Sequence, residues 1–560
     1  MVSTTQIINF ILDNKMKGLK MTRLKYIYIF GLFLIVAVSA CAVGTGEKVD
    51  MDLPIETKTR NFELASPFTE HMVLQRGRLI NVWGWGQPEE MVKVSIDRNV
   101  VEGKVNSDGQ WQLSLPEMEA GGPHVFTAVS GSKKIKYTDV LIGDVFLASG
   151  QSNMQMKVRK EEEIAAHKPG MDKIRHFQVD HSYYLTPRER VSPKKWTVCR
   201  DQENVREWSG VAWAAVYRIY EKTNIPIGLI QTALGGTQIE PWIPLSFMNE
   251  SVHLRQYVKE SESFRKSYAS KIASGEIDPD NYEKYIKHLQ NTKTKPEQKT
   301  SGYVKQQPSI LYNSMIHPFI KFQIRGIMYY QGESSRFYPD TYADSLLLMV
   351  RSYRKLWKNN HLHFSVVQLP ALNEKIDSSD PNKTTWAWIR EAQSKVLQLQ
   401  DTGLAVVYDN TETSLHPKDK SIVGERLARI ILHDVYGKKN IAKNGPIYES
   451  HKLEGNTFIV KFSHATGLKT NDGESPKAFR VAGEDKVWHM ATSSRIEGDK
   501  VVVSSDKVIK PVALRYAWDN RSAINLYNEA GLPTMSFRTD DWQRIDRKSK
   551  SFWSARKNLP

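Results

Sequence analysis

Short apolar runs alternate with longer helical patterns from Val140 to about Gly437, and this alternation constrains the fold more than any other feature of the chain. The run 145–149 has the length and apolar content of a buried strand, whereas 421–433 carries apolar residues at helical spacing. Strands that alternate with helices favour a parallel sheet. The sequence therefore predicts an α/β domain of the flavodoxin-like, parallel-sheet type over residues 140–440.

Patterns typical of β-structure lie on both sides of this segment. Short alternating runs, separated by glycine and proline turns, predict an N-terminal β-sandwich domain over 62–139 and a C-terminal β domain over 446–542. The interval 249–307 is charged, rich in tyrosine and partly helical in pattern, so we expect a helical insertion over the sheet. A length of 560 residues is too great for one core and suits several domains.

Residues 1–40 predict a targeting segment that is not part of the fold. Arg23 and Lys25 precede an apolar stretch over 26–38, and small residues follow before Cys41. This order is typical of a bacterial lipoprotein signal, in which the cysteine carries lipid after cleavage. The apolar stretch is short for a membrane span. We expect membrane attachment through a lipidated Cys41 and a periplasmic or outer-membrane surface location in the cell envelope, with a plain secretory signal or membrane anchor as the alternative.

Charge and cysteine content argue against two other classes of protein. The formal charge of +16 would suit a nucleic-acid partner, but the basic residues are scattered and no recognition motif is present. We therefore expect no nucleic acid. With Cys41 lipidated, Cys199 is the one remaining cysteine, so no intrachain disulfide can form, and no cysteine-hydrolase motif surrounds it.

A serine follows the apolar run 145–149 in the segment Gly150-Gln151-Ser152-Asn153-Met154. A strand that ends here would place the Ser152 hydroxyl at the carboxyl edge of the sheet, where the next helix points its first N–H groups at developing negative charge. The motif differs from the Gly-x-Ser-x-Gly elbow of the α/β-hydrolases. From capping preferences alone, a helix N-cap serine is an equal alternative.

Three further strand ends carry polar residues that suit ester cleavage. His416 lies in a loop between a strand-like run and the helical pattern 421–433, at the same predicted edge as Ser152, and could accept the serine proton. The segments 331–333 (Gln-Gly-Glu) and 235–237 (Gly-Gly-Thr) follow two other apolar runs. These ends would together supply a nucleophile, a base, an amide donor and a backbone donor.

An ordered series of segments carries a resemblance to a known family. The segments are Phe68–Arg76, Trp83–Trp85, Gly150–Met154, Gly235–Thr237, Pro241–Pro244, Leu311–Asn313, Gln331–Glu333, Arg390–Gln393, His416–Pro417, Ala530–Pro533 and Phe537–Asp540. In this series the chain resembles the sialate O-acetylesterase family, whose catalytic domain is similar to the SGNH hydrolases. The resemblance covers most of the chain beyond the targeting segment.

The resemblance implies roles for individual residues. Ser152 would be the nucleophile and His416 the general base. Ester cleavage needs an oxyanion hole, because the carbonyl oxygen becomes negative in the tetrahedral intermediate. Its implied donors are the backbone N–H groups of Ser152 and Gly236 and the side-chain amide of Gln331.

The remaining residues of these motifs are assigned more loosely. Asn153 and Glu333 are predicted to contact substrate, and Glu333 could instead orient its neighbours. The sequence departs from the family pattern at the acid, since relatives place aspartate three or two residues before the histidine, where this chain has Thr413 and Ser414. Glu412 is the predicted acid. Asp409 is the other nearby carboxylate, and a Ser-His dyad with a backbone carbonyl holding the imidazole is the alternative.

These features together imply a carbohydrate O-acetylesterase that acts on an acetylated glycan through an acetyl-serine intermediate, with no metal and no cofactor. Sialic acid is the family's namesake substrate, and acetylated xylan or pectin is an alternative. A non-catalytic glycan-binding surface lipoprotein is a second alternative, from a different class. The two predicted β domains and 14 tryptophans suit carbohydrate stacking, and the altered acid position suits lost catalysis.

Overall fold

The computed structural model describes residues 61–159, 170–192, 194–199, 205–281, 304–373, 375, 379–410 and 412–543. The predicted signal segment and Cys41 lie outside these residues, as does the part of the predicted insertion from 282 to 303. Within the described ranges, no helix combines the length and apolar character needed to cross a bilayer.

The N-terminal strands are mostly antiparallel. They are β1 (Glu63–Leu64), β2 (Val73–Gln75), β3 (Ile80–Trp85), β4 (Met91–Ile96), β5 (Asn99–Lys104), β6 (Gln110–Leu115), β7 (Gly121–Ser130) and β8 (Lys133–Gly150). Strands β1, β3 and β6 form one antiparallel sheet. Strand β4 pairs with β5 and β7, and β7 pairs with the first half of β8.

Strand β8 carries the chain from these strands into the central sheet. Its first seven residues alternate between exposed and half-buried, whereas the last eleven are all buried. This change is expected where a strand leaves a sheet with one wet face and enters a parallel sheet covered on both faces. The buried half ends at Gly150, directly before the predicted serine motif.

The central sheet is built from the buried half of β8 and six later strands. These are β9 (Ile174–Gln178), β10 (Thr197–Val198), β11 (Ile227–Gln231), β12 (Gly326–Tyr330), β13 (His363–Val367) and β14 (Thr402–Ala405). The order is β10-β9-β11-β8-β12-β13-β14, parallel throughout except for β10. The run β11-β8-β12-β13-β14 has the flavodoxin-like order, with β9 and β10 added outside it. The predicted α/β parallel sheet is confirmed.

Helices connect these strands and pack in pairs. They are α1 (Ser152–Gln155), α2 (Gly210–Thr223), α3 (Leu245–Met248), α4 (Val252–Ala273), α5 (Pro339–Leu356), α6 (Trp386–Ser394) and α7 (Ser421–Asp434). Helix α2 packs against α7, and α5 packs against α6. A Cβ atom at Gly424 would lie 2.4 Å from the Cβ of Ala214, so glycine is what lets α7 approach α2 this closely. Helix α4 lies in the predicted insertion.

Ten short strands follow the central sheet. They are β15 (Ile447–Glu454), β16 (Thr457–Ser463), β17 (Lys469–Thr470), β18 (Phe479–Ala482), β19 (Trp488–Met490), β20 (Ser493–Glu497), β21 (Lys500–Ser504), β22 (Ala513–Tyr516), β23 (Leu526–Tyr527) and β24 (Phe537–Arg538). They form three antiparallel sheets with a hydrophobic core of their own, which also includes Ala371 and Tyr408. The N-terminal strands instead share the core of the central sheet, where Phe68 and Trp83 pack on Phe322.

The parallel arrangement decides which loops meet. Strands β8, β11, β12 and β14 run in the same direction, so the loops after them lie at the carboxyl edge of the sheet. Those loops contain Ser152, Gly235–Gly236, Gln331 and His416, respectively.

Candidate active site

Ser152 is the first residue of α1 and is half-buried at the end of β8. Gly150 has φ +135°, and a Cβ atom there would lie 2.1 Å from the carbonyl oxygen of Tyr330, so the turn into α1 requires glycine. The N-cap of α1 is Gln151, whose side chain makes no capping hydrogen bond. The alternative of an N-cap serine therefore fails, and the Ser152 hydroxyl projects from the first turn of the helix.

The structure brings His416 to Ser152, from a position 264 residues away in the chain. The Nε2 atom of His416 lies 2.8 Å from Oγ of Ser152, which is the distance required for transfer of the serine proton. Burial, and secondly the charge of Lys420, lower the pKa of His416 below 6.5. The imidazole is consequently neutral near pH 7 and ready to accept a proton.

The pH dependence of the reaction should report this lowered pKa. If His416 is the general base, as the family resemblance implies, it acts in its neutral form, and kcat/KM is expected to rise with pH along a limb centred below 6.5. Lys420→Gln removes a positive charge that disfavours the imidazolium, so the limb should move to higher pH. Profiles of kcat/KM for both proteins measure the shift. A limb that stays in place, or moves to lower pH, would contradict the assigned cause.

The Gly235–Gly236 turn lies directly against the serine. A Cβ atom at Gly235 would be 3.3 Å from the Cβ of Ser152. The Gly235 N–H donates to Oε1 of Gln155 at 2.7 Å, whereas the N–H groups of Ser152 and Gly236 have no acceptor among the described residues. The N–H groups of Ser152 and Gly236, which the family resemblance implies as oxyanion-hole donors, are thus not bonded to another described residue.

Gln331 is placed differently from its predicted role as an oxyanion donor. Its side chain is fully buried, and its amide nitrogen lies 3.0 Å from the Thr237 carbonyl, 3.0 Å from Oγ of Ser335 and 3.2 Å from Oε1 of Gln151. The two amide hydrogens already face three acceptors inside the protein. Gln331 therefore connects the end of β12 to the segments that contain Ser152 and Gly236. In this arrangement neither amide hydrogen is available to a substrate oxygen.

Asn153 and Glu333 also require a correction, because neither is exposed to substrate. Asn153 is fully buried and Glu333 is 3% exposed. The Asn153 amide donates to the Glu333 carboxylate and to the carbonyl of Leu415 at 3.1 Å, and its oxygen accepts from Nζ of Lys420 at 2.6 Å. Asn153 therefore links the serine helix to both sides of His416. Burial raises the pKa of Glu333, against the opposing effect of the Asn153 hydrogen bond.

Glu412, the predicted acid, is not hydrogen-bonded to the imidazole. Its carboxylate accepts from the backbone N–H groups of Lys418 at 2.7 Å and Asp419 at 3.0 Å. In the described part of the chain, no carboxylate or carbonyl oxygen is hydrogen-bonded to Nδ1 of His416. Through these two hydrogen bonds, Glu412 stabilises the turn that follows His416.

Glu412→Gln tests whether this carboxylate acts on the imidazole. The amide oxygen can still accept one of the two loop N–H groups, and the carboxylate makes no hydrogen bond to the imidazole, so we expect kcat to fall by no more than about 3-fold. Steady-state kinetics on an acetyl ester measure the change. A fall of roughly 10⁴-fold, the size seen when a triad acid becomes an amide, would show that Glu412 orients His416 after all.

Asp409, the other nearby carboxylate, is committed to a different ion pair. It forms a bidentate pair with Arg426, with Oδ2 lying 2.6 Å from Nη2, and accepts from the Tyr527 hydroxyl at 3.4 Å. Neither Arg426 nor Tyr527 is hydrogen-bonded to His416. Asp409 therefore joins β14, α7 and the C-terminal strands.

Four polar residues of the site escape sequence analysis. They are Gln155, Lys305, Gln306 and Lys420. Gln155 lies about one helical turn after Ser152, a spacing that points to the same face of a helix and could have identified it. Lys305 and Gln306 lie at the end of the predicted insertion and carry no motif. Lys420 directly precedes α7 and has no local pattern that distinguishes it from other lysines.

Comparison with known proteins shows that the chain is similar to carbohydrate esterases. A family model described as "Carbohydrate esterase, sialic acid-specific acetylesterase" matches residues 142–293. Sialate O-acetylesterases of Pongo abelii and Homo sapiens are each 27% identical to the chain over 505 residues, spanning 82% of the chain and 87% of the relative. The crystal structure of a carbohydrate acetylesterase from Xanthomonas citri gives a TM-score of 0.72 at 29% identity, and the match covers 86% of this chain and 100% of that one.

The family model covers the serine motif and β11, and the longer matches, over 82% and 86% of the chain, extend beyond it. The predicted resemblance is confirmed: over most of its length the chain is similar to sialate O-acetylesterases, and residues 142–293 match the model of a sialic acid-specific carbohydrate esterase.

Proposed function

We propose that the chain is a carbohydrate O-acetylesterase in which Ser152 is the nucleophile and His416 the general base. The observation that carries the proposal is the 2.8 Å separation of Ser152 Oγ and His416 Nε2 at the carboxyl edge of the parallel sheet. The match to a carbohydrate-esterase domain and the similarity to proteins named sialate O-acetylesterase support the reaction class.

The proposed reaction has two halves. Oγ of Ser152 attacks the acetyl carbonyl carbon as its proton passes to Nε2 of His416, and the carbonyl oxygen becomes an oxyanion beside the N–H groups of Ser152 and Gly236. The C–O bond to the sugar then breaks, and the imidazolium returns the proton to the sugar oxygen. A water that gives a proton to His416 then attacks the acetyl carbon of the acetyl-serine. The C–Oγ bond breaks, the imidazolium returns the proton to Oγ of Ser152, and acetate leaves.

The mechanism is a dyad in this proposal. The neutral form of His416 is maintained by burial and the Lys420 charge, and the position of its loop by the bonds from Asn153 and Glu412. A triad acid would raise the pKa of the imidazole, whereas burial and the Lys420 charge lower it, and no carboxylate among the described residues is hydrogen-bonded to Nδ1 of His416. The alternative, a non-catalytic glycan-binding lipoprotein, does not require a serine hydroxyl at hydrogen-bond distance from a neutral imidazole.

The substrate is proposed to be an acetylated sugar of a glycan. Acetate release from O-acetylated sialic acid, acetylated xylan and acetylated pectin tests the proposal, with Ser152→Ala as the matched control. Release from at least one glycan that the variant fails to cleave is the expected result. Equal release by both proteins would refute an esterase that uses Ser152.

The flanking regions and the anchor belong to the same proposal. We propose β-sandwich-like domains over 62–139 and 446–542, which the antiparallel pairing in both regions supports. We also propose that Cys41 carries lipid and holds the enzyme in the cell envelope, although that segment lies outside the described residues. Mass spectrometry of the N-terminal peptide from membranes should detect a lipid-modified Cys41, and an unmodified secreted form would contradict the anchor.

A further inference from the structure

Side chains are hydrogen-bonded to three of the four backbone N–H and C=O groups of Gly235 and Gly236. Gln155 accepts the Gly235 N–H at 2.7 Å, Lys305 donates to the Gly235 carbonyl at 2.9 Å, and Gln306 donates to the Gly236 carbonyl at 2.6 Å. The Gly236 N–H has no acceptor among the described residues. The turn is therefore fixed in a way that leaves one donor available beside Ser152.

Lys305 acts on the peptide group that contains this donor. The Gly235 carbonyl and the Gly236 N–H belong to one planar peptide, and in a trans peptide these two bonds point in opposite directions. An ammonium group bound to the oxygen end fixes the peptide plane and withdraws electron density toward that oxygen. The N–H at the other end consequently becomes a stronger donor.

The ammonium group is also close to the glycine itself. A Cβ atom at Gly236, where φ is +70°, would lie 3.0 Å from Nζ of Lys305. The Lys305 side chain is half-buried, so its charge is screened less than that of a fully exposed lysine. A positive charge thus lies against the donor peptide, and Ser152 lies against the preceding glycine of the same turn.

We propose that Lys305 is a positioning residue of the oxyanion hole, which orients and polarises the Gly235–Gly236 peptide so that the Gly236 N–H stabilises the oxyanion. This inference rests on the proposed esterase function. The negative charge exists only in the tetrahedral state, so the contribution of Lys305 should appear in kcat and leave KM nearly unchanged.

Three variants separate the charge of Lys305 from its hydrogen bond. Lys305→Met removes both, Lys305→Gln keeps an N–H donor without charge, and Lys305→Arg keeps charge and donor. We expect kcat to fall roughly 10-fold to 100-fold in Lys305→Met, at or below the 10²-fold to 10³-fold typical of removing an oxyanion donor itself. Lys305→Gln should fall between Met and wild type, and Lys305→Arg should keep most of the activity.

If Lys305 had only a structural role, its substitution would not change the affinity for a tetrahedral anion. Methylboronic acid adds to the Ser152 hydroxyl and forms a tetrahedral, negatively charged adduct, so its inhibition constant should weaken by the same factor as kcat/KM across the three variants. Lys104→Met is the matched control. Lys104 is an exposed lysine paired with Glu89 in the N-terminal strands, and its loss should leave both quantities unchanged.

The outcomes distinguish this inference from the proposed function. Esterase activity in the wild type that Ser152→Ala lacks, with wild-type kcat in Lys305→Met, would overturn the role of Lys305 and leave the function standing. A kcat loss that Lys305→Arg does not rescue, or that leaves boronate affinity unchanged, would overturn it as well. Absence of Ser152-dependent activity in the wild type would instead refute the proposed function.

Discussion

Ser152→Ala is expected to lower kcat for acetyl-ester hydrolysis by roughly 10⁴-fold to 10⁶-fold, the range seen when a serine nucleophile is removed from a hydrolase. The methyl group cannot form the acetyl-enzyme, and the oxyanion donors alone retain only the residual rate. The serine is half-buried and its oxygen bonds to His416, so the substitution should cost little stability.

Steady-state kinetics with p-nitrophenyl acetate, together with the thermal unfolding midpoint, measure both effects. A protein of unchanged stability and greatly reduced kcat is the expected result. A variant that retains wild-type kcat would remove Ser152 from the reaction, and a collapse of the unfolding midpoint would show that the loss arises from folding.

His416→Asn should cause a loss of similar size, because no other described side chain is hydrogen-bonded to Ser152 Oγ as a base. Asparagine is polar and smaller than histidine, and its amide cannot accept a proton near neutral pH. Without the imidazole, the serine hydroxyl must attack as a neutral alcohol, which is a weak nucleophile. Although partial burial lowers the pKa of its imidazole, the His416 residue as a whole is exposed, so the folded state should tolerate the change.

The double variant Ser152→Ala, His416→Asn sharpens this prediction. Residues that act as one unit are strongly non-additive, so the double variant should be no slower than the slower single variant. The measurement is kcat for all four proteins under one condition. Losses that multiply would indicate two independent contributions and would contradict a shared proton transfer.

Much of the fold follows from residue periodicity. The alternation of apolar runs and helical patterns predicts the parallel sheet, and the structure places β8, β11, β12 and β14 as consecutive or near neighbours with their carboxyl ends at one edge. Because parallel strands bring distant loops together, Ser152 and His416 could be paired from sequence. The pairing depends on strand direction, which the pattern encodes, and little on the detail of the loops.

The environment of each polar residue in the loops could not be predicted in the same way. Glu412 is close to His416 in sequence, but the loop turns its carboxylate toward the following backbone N–H groups. Asn153 and Glu333 lie in motifs that suggest contact with substrate, yet both are buried. Proximity in sequence does not specify which side of a loop a side chain occupies, because that depends on packing with distant segments.

Lys305 and Lys420 are site residues that could not be identified from the sequence. Each contacts the site through a hydrogen bond to a residue at least 70 positions away. A lysine carries no local pattern that distinguishes a solvated surface position from one that holds an active-site turn. Only the assembled sheet edge shows that both approach the serine helix or the turn beside it.

The claim that a Ser152–His416 pair performs the chemistry is tested most directly by labelling with paraoxon, an organophosphate that reacts with activated serines. Peptide mass spectrometry should locate one diethylphosphoryl group on Ser152, with activity lost in proportion to labelling, and the His416→Asn protein should remain unlabelled under the same conditions. Full inhibition with the label on another residue, or equally rapid labelling of Ser152 without the histidine, would contradict the account.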